Sequence, residues 1–143
     1  MHPQIMIKVN AECDEGVAPL VLALNEIDGI VTLDSCQQGV CEEAYVFFTY
    51  GKTWQKLARL LQTISLELSK IHLDCGYTLR IEWFGSNEWP RAQIVVLPEH
   101  VATLAEHIRA LSGQINARMC QSTGGRLGKE LRKSAHPKHD FQF

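Results

Sequence analysis

The sequence predicts an α+β domain: two layers, a mostly antiparallel sheet, and about three helices on one face. Three stretches each carry a single apolar stripe at helical spacing. Two others, "YTLRIEWF" and "RAQIVVL", alternate residue by residue and flank a turn-like "GSNEWP". Helical and strand patterns interleave along the chain, and no internal repeat or low-complexity segment interrupts them.

"QIMIKVN" opens the chain as a short strand. Asp14 is placed to cap a helix over 15–27, with Glu15 in its first turn. The stripe there is Val17, Leu20, Val21, Leu24 and Ile27; Pro19 marks an early turn, and Asp28-Gly29 ends the helix. Strands follow at 30–33 and 44–50, joined by "DSCQQGVCEE". Thr53 caps a second helix over 54–71, in which Leu57, Leu61, Ile64, Leu68 and Ile71 form one stripe.

In the hairpin, Tyr77, Leu79, Ile81 and Trp83 share one face, and Thr78, Arg80, Glu82 and Phe84 the other. On its second strand Ala92, Ile94 and Val96 oppose Arg91, Gln93, Val95 and Leu97. Pairing 84 with 91 would set 82 against 93 and 80 against 95, so the polar sets share a face. Pro98 then opens a third helix with the stripe Val101, Leu104, Ile108, Leu111 and Ile115. Helices on one side of such a sheet leave Arg80, Glu82, Arg91 and Gln93 on the other, a surface for a ligand or nucleic acid.

The 143 residues, 45% hydrophobic and 21% charged, suit one globular domain. No apolar run approaches the roughly 18 residues of a membrane span, so no membrane partner is expected. The opening "MHPQIMIKVN" lacks a basic leader, which gives a cytoplasmic reading. Five cysteines without an export signal read as reduced thiols, with no CxxC pair among them. Residues 118–143 hold six Lys/Arg against two acids, whereas the preceding 117 residues hold eight against fourteen. The division expected is an α+β domain over 1–117 and a basic C-terminal segment over 118–143 suited to an anionic partner such as tRNA.

Two tail motifs bear on chemistry. "STGGRLGKE" looks like a phosphate loop but has three residues between Gly124 and Gly128, and Glu130 where Ser or Thr is needed. His136 and His139, with Cys36 joining in space, could hold a divalent metal, although a proline-containing tail lacks the helix that aims paired imidazoles. Near Cys36, the acids Asp34, Glu42 and Glu43 argue against a nucleophilic thiolate, which needs a neighbouring cation, helix N-terminus or metal.

"DEGVAPLVLALNEIDGIVTLDSC" resembles the start of the tRNA wybutosine-synthesizing protein 3 family. The matching positions are Asp14, Leu20, Val21, Leu24, Asn25, Thr32, Ser35, Cys36 and Gly39, and the resemblance covers about a quarter of the chain. It implies S-adenosylmethionine-dependent methylation of a modified guanosine in tRNA. Asp34 and Ser35 would then be catalytic, and Ser35, Cys36, Gly39 and an Arg80 on the adjoining sheet face would bind the cofactor. The chain departs from the family in having Gln37-Gln38 before Gly39 and Val40 after it, where the family has arginine. That loss favours the alternative, a non-enzymatic ligand- or RNA-binding module of the same fold. A metal protein built on Cys36, His136 and His139 is the third reading.

Overall fold

A computed structural model describes residues 3–7, 11–38, 42–83 and 89–124. The expected α+β architecture is what it shows. Strands β1 (Gln4–Ile7) and β2 (Ala11–Asp14) form a small antiparallel ribbon. Strands β3 (Ile30–Cys36), β4 (Ala44–Tyr50), β5 (Tyr77–Glu82) and β6 (Arg91–Val96) form an antiparallel sheet in the order β3-β4-β6-β5. Helices α1 (Ala18–Asn25), α2 (Trp54–Ser69) and α3 (Val101–Gly124) complete the domain.

Alternation decides which sheet face is buried. Val46 and Phe48 on β4 pair with Ile94 and Ala92 on β6, and all four are solvent-inaccessible. Leu79 and Ile81 on β5 pair with the same two β6 residues and join this face. The stripes of the first two helices close over it, Leu20, Leu24 and Ile27, then Leu57, Leu61 and Ile64; Leu104, Ile108 and Ile115 of α3 are as inaccessible. Helix α3 packs chiefly against α1 and α2, so it seals the helical layer from outside.

Local chemistry sets the ends of these elements. The Thr53 hydroxyl accepts the Lys56 amide at 3.3 Å and caps α2. Gly29 ends the α1–β3 turn at φ +92, a conformation side chains other than glycine rarely adopt, with the Tyr50 ring against it. Asn116 on α3 clasps the same turn: its carbonyl oxygen accepts the Asp28 amide at 2.8 Å and its NH2 donates to the Glu26 carbonyl at 3.1 Å. Glu67, buried on α2, accepts from Lys70 and from Arg118 on α3, so the buried carboxylate is paired twice.

Several expectations are corrected. The 15–27 segment begins as one turn of 3-10 helix, Glu15–Val17, and the α-helix follows with Pro19 in its first turn, where a missing amide costs nothing. Asp14 precedes that turn but its side chain makes no capping bond, because its carboxylate is bonded elsewhere. The hairpin pairs Glu82 with Arg91 and Arg80 with Gln93, two residues from the expected register, which keeps every side chain on its expected face. Trp83 lies past the end of β5 and is exposed. Helix α3 runs through Gly124, beyond the boundary expected at 117, and buries Met119. No described helix is long and apolar enough to cross a membrane.

Core and clasp should separate in magnitude. We expect Phe48→Ala to lower unfolding free energy by about 3–5 kcal/mol and Asn116→Ala by about 1 kcal/mol, measured by urea denaturation. Equal losses would contradict the division between a sheet-centred core and a surface clasp.

Candidate functional site

The Ser35-Cys36 segment is built by three neighbours. Asp14 ends β2 almost fully buried, and its Oδ2 accepts the Gln37 backbone amide at 3.0 Å. Gln37 reciprocates: its side-chain oxygen accepts the Gly16 amide at 2.8 Å. A Cβ at residue 16 would lie 2.6 Å from that oxygen, so glycine lets the two segments close. The Cys36 thiol donates to the Gln38 carbonyl at 3.1 Å. Asn25 ties α1 to the other end of β3, donating to the Thr32 hydroxyl at 3.1 Å.

A β-bulge then decides where each side chain points. Thr32 pairs with Phe48 but Ser35 with Val46, so β3 holds one more residue than β4 across that interval. Strict alternation from Thr32 would turn Ser35 outward and Cys36 inward. The extra residue reverses this: Ser35 shares the helix-covered face with Val46, and Cys36 shares the open face with Tyr45. Asp34 is exposed within the bulge. The pair is thus the last two residues of a strand whose side chains leave by opposite faces.

Arg80 shares the open face with Cys36 but not its neighbourhood. It lies on β5, at the far edge from β3, about 14 Å away across three strand spacings. The expected adjoining position is therefore corrected to the opposite edge of the sheet. Gly39 lies outside the described residues, as do His136 and His139 and most of the tail. Among the residues described, Ser35, Cys36 and Arg80 do not converge on one cofactor-sized space, and they do not fit S-adenosylmethionine as a set. No described group of three or more His, Cys, Asp or Glu is placed to hold a metal ion.

What the open face does bring together is a different set. Tyr45 and Phe47 stand two apart on central strand β4, ring centroids 5.5 Å apart and planes 69° apart. Arg91 lays its guanidinium carbon 4.5 Å over the Phe47 ring and bonds Glu82 directly across the hairpin at 3.3 Å. Gln93 lies between Phe47 and Arg80 in register. At one end of the sheet, Lys52 sits 5.4 Å over Trp89, with Trp83 and Trp89 both more than half exposed. Sequence reasoning placed Arg80, Glu82, Arg91 and Gln93 on this face but missed Tyr45 and Phe47. The signal was present in "AYVFFTY", where the aromatics at 45 and 47 alternate with buried Val46 and Phe48.

Electrostatics mark Tyr45 as the link between the bulge and the open face. Its phenol is pushed above the ordinary 10.0, first by burial and then by the negative charge available at Cys36, Asp34 and Asp14. Burial likewise raises the Cys13 thiol above 9.0, with Asp14 adding to it.

Comparisons with protein-family models, with curated proteins and with solved structures found no match.

Two outcomes are expected at this site. Asp14→Ala should cost about 1–3 kcal/mol, because it strands the Gln37 amide and removes a charged acceptor; urea unfolding against Asp34→Ala, an exposed control, measures it. At alkaline pH the raised Cys13 and Tyr45 groups favour their neutral forms in the folded state. Their contribution is intact below the ordinary values of 9.0 and 10.0 and is lost as pH rises through the raised folded ones. The urea midpoint should therefore fall across that range, and Asp34→Asn should shift the Tyr45 ultraviolet titration downward. A flat midpoint would contradict the burial of both groups.

Proposed function

We propose that the protein binds an RNA strand on the open face of its four-stranded sheet. The observation that carries this reading is the placement of Tyr45 and Phe47 on a central strand, with Arg91 on the adjoining strand β6 and Arg80 on β5 beyond it. An antiparallel sheet that buries one face under helices and shows paired aromatics with arginines on the other offers what an unpaired nucleotide needs. Bases stack on aromatic or guanidinium faces, and phosphates meet the cations. Such a face is also what a hairpin needs for cross-strand stability, but the half-buried Tyr45 and Phe47 lie outside the hairpin, on central strand β4. The basic composition of residues 118–143 supports an anionic partner, tRNA among the candidates.

Methyl transfer from S-adenosylmethionine is the competing reading, carried by the resemblance of residues 14–39. It draws no support from the geometry, since Ser35 and Cys36 leave β3 on opposite faces. The RNA-binding reading needs neither of them.

Fluorescence anisotropy with a labelled single-stranded RNA tests the proposal. Binding should weaken steeply with added salt, and Tyr45→Ala should weaken it about tenfold, the loss of about one stacked base. Absence of RNA binding, together with calorimetric binding of S-adenosylmethionine that Ser35→Ala abolishes, would replace this reading with the enzymatic one.

A further inference from the structure

Arg91 is held in a manner unlike a cation kept for phosphate alone. Its Nε and Nη2 each lie 3.3 Å from Oε2 of Glu82, so one carboxylate oxygen is shared along a single edge of the guanidinium. The guanidinium carbon sits over the Phe47 ring at 4.5 Å. The carboxylate neutralises much of the charge, and the two contacts remove the torsional freedom a phosphate clamp would use. A third of the side chain remains open to solvent. The guanidinium held in this way is a flat, polarisable surface on the sheet, the chemistry on which a nucleobase stacks.

We propose that Arg91 is a base-stacking platform, with Phe47 beneath it and Glu82 as its positioning residue, and that the ligand is single-stranded RNA. The proposal rests on the RNA-binding reading and sharpens it. Strandedness follows from the rings. The Tyr45 and Phe47 rings are 69° apart, so a base lying flat on Tyr45 is turned steeply from one lying parallel to the Phe47 ring. Neighbouring bases held this way cannot keep the stacking of a duplex, whereas an unpaired strand with a kinked backbone can follow.

The test uses the full chain and an unpaired RNA of about ten nucleotides, a length within the usual single-strand site sizes, carrying the fluorescent base 2-aminopurine. Wild type should bind it and change its fluorescence through stacking. Arg91→Lys keeps the charge but not the plane. It should weaken binding about tenfold or more and lose the fluorescence change, while the slope of log affinity against log salt stays as in wild type. Arg109→Lys, on α3 and away from this face, should retain both. Glu82→Gln should reduce the fluorescence change, because the guanidinium is no longer pinned. Thermal melts identify any variant that fails to fold, and Phe47→Leu supplies a second removal of the stack.

Three results would overturn the inference. If Arg91→Lys, or Phe47→Leu where the lysine variant is unfolded, binds as wild type does with the fluorescence change intact, Arg91 acts only as a cation or a structural ion pair. Equal affinity for a duplex of the same sequence removes the single-strand assignment. Wild type that binds no RNA takes down the underlying reading as well, which separates that failure from the first two.

Discussion

The burial of one sheet face beneath α1 and α2 is the constraint from which the other features follow. Val46, Phe48, Ile94 and Ala92 leave water together, and the period of two along each strand then dictates what stands on the other side. Residues between buried positions are turned outward, so Tyr45, Phe47, Gln93 and Arg80 gather on one surface without any interaction of their own drawing them there. Their mutual contacts refine an arrangement that hydrophobic burial has already imposed. Among the described strands, parity is broken only at the bulge in β3, and there it exchanges the faces of Ser35 and Cys36.

Much of this architecture is legible in the sequence because periodicity records burial. The stripe Leu57-Leu61-Ile64-Leu68 names the face of α2 that closes over the sheet, Val101-Leu104-Ile108 the buried face of α3, and Thr53 announces the start of α2. Features that depend on partners distant in sequence are not legible. "AECD" has none of the residues that favour strands, and β2 exists through its pairing with β1. The bulge leaves no mark in "TLDSC", since an inserted residue has no composition. Asp14 has the right residue type and position for a helix cap, yet its carboxylate is recruited by Gln37, a residue on the far side of α1. The end of α3 was missed because Gln114, Asn116 and Arg118 interrupt the stripe; Asn116 and Arg118 face other elements through hydrogen bonds and an ion pair.

The candidate site was half visible for the same reason. Alternation in the β5–β6 hairpin places Arg80, Glu82, Gln93 and Arg91 outward, and a register error of two leaves that assignment intact. The distances between strands are another matter. Order in the sheet is a property of topology, and β6 lies between β4 and β5 although it is the last strand made. Cys36 and Arg80 thus occupy opposite edges, while Phe47 and Arg91, far apart in sequence, touch.

That strand order, together with the position of α3, bears on how the chain is made. Synthesis proceeds from the N-terminus, and α1 is complete by Asn25, but the helix that covers its outer side begins at Val101. Asn116 and Arg118, which fasten the α1–β3 turn and the buried Glu67, come later still. Until they emerge, a nascent chain carries Leu20, Val21 and Leu24 on a helix with part of its apolar surface uncovered, and β4 lacks the strand that will flank it. Such surface on an unfinished chain is what chaperones engage. The helical packing is complete only once the last helix has been made, and the earliest helix waits longest for shelter.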